Sequence, residues 1–327
     1  MAKQLTLACG AYDRTAPLAD GRVRPEGIDL TVLTLPVEEI FYRTATYREF
    51  PVSELSLSSY LLTLDRGAPF VAIPVFPSRS FRHNGVYVRA DGPIASAADL
   101  VGATVGIPEY QVTAAVWIRG ILADHHGVPV RSVRYRTGGL YDPRRREKLA
   151  ISPPGIDLKP VDRDATLGEL LIAGEIDAIY SPRVPPEYLR GDPRIRRLWA
   201  DPKGAETEYY RATGIFPMMH TVVIRRDVYE ADRWIARSLF TAFESAKDLA
   251  ASHLGETAAL ASMLPWSYQE AEQTRTLMGQ DFWTYGLEAN RAALETLIGY
   301  SVDQGLASGV REPEELFAPE TASSFVI

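Results

Sequence analysis

TVGIPEYQVTAAVWIRGILADHHGVPVRSVRY, residues 104–135, reads as a strand, a helix and a second strand. Residues 104–107 are short, apolar and β-prone, and Pro108 to Gln111 lead into a helix over 113–125. Gly127 stops that helix, because glycine takes the left-handed conformation that ends a helix without a Cβ clash. Residues 131–135 supply the next strand. Two strands joined through a helix run parallel, since a hairpin turn cannot connect them. The pattern extends both ways. Upstream, 5–9, 52–57 (VSELSL, alternating with period two), 70–75 and 85–89 read as strands, with helices starting at Pro36 and over 60–64. Downstream, 166–174 is a helix opened by a Thr166/Glu169 capping box, and 176–180 and 221–224 are strands. Long helices then take over: Ile235, Leu239, Ala242, Ala246 and Leu249 share one face, Ser267 and Glu270 suggest another capping box, and Leu294, Leu297, Ile298 and Val302 form a second stripe. Such alternation gives an α/β fold, with mostly parallel sheets flanked by helices.

The chain has 327 residues, 46% of them hydrophobic, enough for two domains. The strands near 84–90 and 214–224 read as two crossings, which predicts a discontinuous lobe I (1–83 and 221–327) and a lobe II (84–220), with an active-site cleft between them. The net charge of −7 argues against a nucleic-acid partner. No run of about 18 apolar residues predicts a membrane span. Gln4, Thr6 and Asp13 break any leader-like apolar run, and Cys9 is the single cysteine, so the expected location is the cytoplasm. The Arg-Arg-Arg-Glu-Lys run at 144–148 reads as a solvated face, and 151–160 as a surface loop.

Ligands of open α/β sheets bind beyond the carboxyl ends of strands. The polar residues there are Tyr12, Asp13 and Arg14; Ser58 and Ser59; Arg79, Arg82 and His83; Glu109, Tyr110, Gln111 and Thr113 at a helix start suited to an anion; and Arg183. Each has a plainer reading. Loop arginines face solvent or cap helices, Ser58–Ser59 can be an N-cap, and Tyr110 and Thr113 can be packing and capping residues. His125, His126 and His253 lie at helix ends, where a cation suits the dipole. His83 and His220 differ, because each falls beside a predicted crossing. No GxSxG, P-loop, HExxH, paired CxxC or GxGxxG motif is present, and no spacing supports a zinc site.

Six segments carry a resemblance. They are VSELSLSSYL (52–61), SRSFRHN (78–84), VGIPEYQVTAAVWIRGIL (105–122), GEIDAIYSPRVP (174–185), TGIFPMMHTVVIRRDVYE (213–230) and FWTYGLEANRAALET (282–296). Together they resemble the 4,5-dihydroxyphthalate decarboxylase family over almost the whole chain. The resemblance implies a two-lobed fold like that of type II periplasmic binding proteins, and loss of one carboxylate from 4,5-dihydroxyphthalate to give protocatechuate and carbon dioxide in phthalate degradation. It implies a small aromatic carboxylate as partner and no cofactor; it is silent on a divalent metal and on homo-oligomerisation. One departure falls at Gly138 to Asp142, where the family pattern leads us to expect a carboxylate nearer the glycines. No catalytic residue is carried over. Our own assignment makes His83 and His220 acid and base in either order, Arg79, Arg82 and Arg183 carboxylate clamps, and Ser58, Ser59, Tyr110, Gln111, Thr113 and Arg14 further substrate contacts. Two alternatives are a solute-binding protein of the same fold, without turnover, and a related enzyme acting on another aromatic acid.

Overall fold

Alternating apolar runs build two separate sheets. The computed structural model describes residues 2–143, 145, 147–161 and 164–322. Among these the strands are β1 (Lys3–Cys9), β2 (Ile28–Thr34), β3 (Val52–Ser56), β4 (Phe70–Arg79), β5 (Val86–Arg89), β6 (Thr104–Ile107), β7 (Arg134–Thr137), β8 (Leu158–Pro160), β9 (Ala178–Tyr180), β10 (Ile195–Arg197) and β11 (Met218–Arg225). One sheet has the order β2-β1-β3-β11-β4 and the other β10-β5-β9-β6-β7-β8. In the first, β1 runs parallel to β2 and β3, while β11 is antiparallel to β3. In the second, β6 is parallel to β7 and β9, and β5 is antiparallel to β9 and β10. The opening stretch is therefore the βαβ unit its sequence predicts, with the second strand moved to Arg134–Thr137 behind a 3-10 turn over Val130–Ser132. Its helix, Thr113–His126, ends on Gly127 at φ +65°.

The chain divides into two compact units. Unit 1 is Met1–Arg79, His220–Leu294 and Arg311–Ile327, and unit 2 is Ser80–Met219 with Glu295–Val310. Residues 295–310, placed in lobe I by the sequence reading, thus pack with unit 2, and so does His83. The cause is visible at Gly120. This helical glycine leaves room for the Tyr300 ring, whose hydroxyl donates to Asp124 (2.8 Å) and whose edge meets Trp117. Gln304 also accepts from Arg119 (2.7 Å) and donates to the Val116 carbonyl (2.9 Å). A Cβ on Gly120 would lie 2.2 Å from Tyr300 ring carbons. Alanine's better helix propensity offers about 1 kcal/mol, and overpacking costs about 1–3 kcal/mol or more. At that separation the clash wins. Gly120→Ala is expected to destabilise unit 2, measurable as a lower urea midpoint.

Local departures have physical reasons. The sequence reading passes over β2, an edge strand on which only Ile28 is buried, and places β8 in a loop. The Thr166/Glu169 capping box forms. The Ser267/Glu270 box does not: Trp266 is the N-cap, and Ser267 is already the first helical residue. The Ser58–Ser59 N-cap is likewise displaced, since the helix Leu57–Leu64 starts before both, with Ser56 at the N-cap position and no side-chain capping bond from it. No helix among the described residues is long and apolar enough to cross a membrane.

Candidate active site

β3 is buried at all five positions, although Ser53 and Glu54 are polar. The period-two alternation therefore does not mark a solvent face, because a strand inside a mostly parallel sheet is covered on both faces. A carboxylate there needs partners, and Glu54 has them. The Gly10 N–H donates to it (2.8 Å), as does the Tyr12 hydroxyl (2.7 Å), and His220 Nδ1 lies 2.5 Å from it. The Cys9 thiol is 3.5 Å away. Strand register explains the meeting. His220 on β11 lies opposite Ser56, so Glu54, two residues back, is its diagonal neighbour on one face. Gly10 matters for a second reason: a Cβ there would come within 2.9 Å of the Tyr12 ring and push its hydroxyl off the carboxylate.

Burial alone would raise the Glu54 carboxyl. The His220 charge and hydrogen bond, then the Gly10 N–H and the Tyr12 hydroxyl, outweigh it and hold the group below its ordinary value. Glu54 is thus a carboxylate that accepts the Nδ1–H of a half-buried imidazole, with Phe41 edge-on to that ring at 4.7 Å. This arrangement fixes one tautomer and leaves Nε2 to move a proton. Sequence reasoning found His220 and passed over Glu54; the available signal was a lone carboxylate inside an otherwise core-like strand.

Of the other candidates, Arg79, Ser58, Ser59 and Arg14 lie in the same unit as this pair, and His83, Arg82, Arg183, Tyr110, Gln111 and Thr113 lie in unit 2. His83, in unit 2, is 3% exposed among Trp199, Tyr209 and His126, with ring centroids at 4.9, 5.5 and 6.1 Å, and its Nδ1 has no partner. Burial, with the charges of His126 and His125, pushes it down to about 4. The ring is neutral at pH 7. Its unfolded value is near 6.5, so the neutral form contributes stability above about 6.5 that is lost as pH falls toward about 4, amounting to about 3 kcal/mol at most. His83→Phe is expected to flatten the wild-type loss of stability across that window, measured by denaturant titrations at pH 7, 5.5 and 4.

Arg79 is buried in unit 1, where its guanidinium donates to the Thr284 carbonyl (2.7 Å) and to Asn290 Oδ1. It staples a loop. Arg82 is buried in unit 2 with Nε against Met219 Sδ (3.0 Å), and burial lowers it to about 10, still charged at pH 7. Arg183 is exposed. Ser58 and Ser59 are buried in the first turn after β3. Tyr110 donates to the Gln304 carbonyl (3.1 Å), and Thr113 is buried. Gln111 donates to Glu109 (3.2 Å). Glu109 also binds Arg145 (2.7 Å) and Lys148 (2.6 Å), so an internal carboxylate occupies the anion side of this helix start. That corrects the 144–148 run as well: Arg145 and Lys148 point to Glu109, while Arg144 and Arg146 lie outside the described residues. Tyr141, at the sequence departure, donates to the Val184 carbonyl (2.6 Å).

Arg14 stays beside the Glu54–His220 pair. Its Nε donates to the Pro77 carbonyl (2.6 Å) and Nη1 to Asp13 (3.0 Å). Its Cζ lies 4.3 Å from the centre of the Tyr12 ring and 4.2 Å from that of Trp283. Among the described residues no group of three or more His, Cys, Asp or Glu could hold a metal.

No family model matches the chain. The structure resembles the periplasmic aliphatic sulphonate binding protein SsuA of Escherichia coli (TM-score 0.54, 13% identity, 98% of this chain and 99% of that one). It resembles the putative sulfonate-binding SsuA of Methylobacillus flagellatus (TM-score 0.56, 13%, 97% and 91%) and the desulfurization enzyme DSZB (TM-score 0.51, 15%, 98% and 97%). These likenesses show the fold, a mixed α/β type II periplasmic-binding-protein-like one. Sequence goes further. The 4,5-dihydroxyphthalate decarboxylase of Pseudomonas putida is 41% identical over 210 residues, 64% of this chain and 81% of that protein. That of Comamonas testosteroni is 41% identical over 326 residues, 99% of both chains. With such likeness end to end, the chain belongs to the 4,5-dihydroxyphthalate decarboxylase family.

Proposed function

We propose that this protein is a carboxy-lyase that removes one carboxylate from 4,5-dihydroxyphthalate without oxidation, giving protocatechuate and carbon dioxide. The observation that carries the reading is 41% identity across 99% of both chains to a protein of that name. The Glu54–His220 pair gives it chemistry. Each carboxylate of this substrate is para to a phenolic hydroxyl. Electron release from that oxygen makes the carboxylate-bearing carbon basic, as the hydroxyl proton passes to water. His220 Nε2 donates a proton to that carbon, giving a dienone. The bond to the carboxylate then breaks, its electrons restore the aromatic ring, carbon dioxide leaves, and the phenol is reprotonated. The turnover takes up one proton, and His220, 17% exposed at its side chain, can regain it from solvent. A positioned acid of this kind contributes about 10²–10⁴-fold.

In this reading His220 carries the proton instead of His83, which has neither charge at pH 7 nor an orienting carboxylate. The test is incubation of the protein with 4,5-dihydroxyphthalate, following carbon dioxide and protocatechuate together. Equal amounts of both are expected. Tight binding of the substrate with no carbon dioxide released would refute the reading and favour a solute-binding protein.

A further inference from the structure

We infer that Arg14, Trp283 and Tyr285 form the subsite for the carboxylate that the product keeps, an assignment resting on the decarboxylase reading above. The Arg14 Cζ lies over two aromatic rings, Tyr12 at 4.3 Å and Trp283 at 4.2 Å. Two ring contacts and two hydrogen bonds hold this cation in place, and a guanidinium so held can grip a carboxylate edge-on. Two of its three nitrogens are engaged, Nε by Pro77 and Nη1 by Asp13, while Nη2 makes no hydrogen bond among the described residues. The Tyr12 ring joins this cation to the proton-moving pair, since Arg14 lies over the ring and the hydroxyl of that ring donates to Glu54.

Tyr285 supplies the second, independent observation. It is 5% exposed, and its hydroxyl is buried with no hydrogen-bond partner. A buried hydroxyl of this kind is costly unless it finds a hydrogen-bond partner. Burial raises this phenol first; the Arg14 charge opposes the rise, Cys9 adds to it, Arg79 opposes and Glu54 adds, so the hydroxyl lies within electrostatic reach of this same cluster. The loop bearing it is fixed in advance. Trp283 Nε1 donates to the Phe76 carbonyl (3.0 Å), the Gly286 N–H to the Pro74 carbonyl (2.8 Å), and Arg79 to the Thr284 carbonyl (2.7 Å). Gly286 sits at φ +85°, a turn that favours glycine. A charged Nη2, an unsatisfied hydroxyl and two aromatic walls on a rigid support suit the carboxylate of an aromatic acid. One carboxylate gripped here places its ortho neighbour toward His220. The product then retains the gripped carboxylate away from the acid, so a second decarboxylation does not follow.

The test is calorimetric titration of the full chain with phthalate, which has both carboxylates but no activating hydroxyls, and with catechol, which has the reverse. Wild type, Arg14→Gln and Tyr285→Phe are compared, with melting temperature as the check on folding. Phthalate binding is expected to weaken about tenfold in Tyr285→Phe and by a larger factor in Arg14→Gln, with catechol unchanged. Phthalate affinities within twofold of wild type in both variants, or an equal loss for catechol, would overturn the subsite. Failure of the parent reading looks different: the expected phthalate pattern with no carbon dioxide from 4,5-dihydroxyphthalate removes the activity and leaves the subsite.

Discussion

Glu54→Gln is expected to lower kcat for decarboxylation by about 10²–10⁴-fold while leaving KM within a few-fold of wild type. The carboxylate touches no part of the proposed substrate, so little ground-state binding is lost. What changes is the acid. In the wild type the Glu54 carboxylate accepts the Nδ1–H of His220, and a glutamine can instead present its amide N–H to that nitrogen, which holds the ring as the neutral Nε2–H tautomer, a far weaker acid than the doubly protonated ring whose Nδ1–H a carboxylate accepts. The imidazolium also loses its counter-charge. The isosteric change keeps one oxygen for the Gly10 N–H or the Tyr12 hydroxyl, so the fold has a way to survive, and circular dichroism and melting temperature check that it does. Because Glu54 works through His220, losses in the pair do not add: Glu54→Gln with His220→Gln should be no slower than His220→Gln alone. Two multiplying losses, or full activity in Glu54→Gln, would disprove the assignment.

The fold was legible where periodicity and punctuation agree. The 104–127 stretch has an apolar strand, a long helical run and a glycine stop, and all three appear. What escaped was whatever depends on partners distant in sequence. Residues 295–303 are helical and read correctly alone, yet the unit of the whole 295–310 segment is decided by Tyr300 against Gly120, some 180 positions away. The site behaved the same way. His220 and Arg14 were found because they follow or flank strands. Glu54 was hidden because Glu54 and Ser56, two apart in VSELSL, mimic the polar face of an exposed strand, and only the second covered face shows them to be buried. Arg79, in an arginine-rich loop, looked like a ligand clamp; its partners are the Thr284 carbonyl and Asn290, more than 200 residues later. A composition-based reading sees cations but not which carbonyl has already claimed them.

The largest stability effect should come from Glu109, whose replacement by alanine is expected to cost about 3–5 kcal/mol. The carboxylate is 1% exposed and binds Lys148 Nζ at 2.6 Å and Arg145 Nη2 at 2.7 Å, while the Lys148 side chain is itself only 6% exposed. Removing Glu109 leaves an ammonium away from water without its hydrogen-bonded counter-charge, which is the expensive way to break a buried pair. Burial alone would raise the Glu109 carboxyl, but the charges of Lys148 and Arg145 and their hydrogen bonds bring it below its ordinary value. Its contribution is therefore present above the unfolded value of about 4.3 and is lost as pH falls through the lower folded value. Lys148→Met should cost less, because Arg145 still faces the carboxylate. Glu109→Gln with Lys148→Met should recover part of the loss, since a buried ion pair replaced as a whole is often close to neutral. Urea titrations of Glu109→Gln, of Lys148→Met and of the double close the cycle, and a coupling of at least about 1 kcal/mol is expected for residues in direct contact. Strict additivity would mean that the pair is solvated in solution and that the 144–148 run is the exposed face its composition suggests.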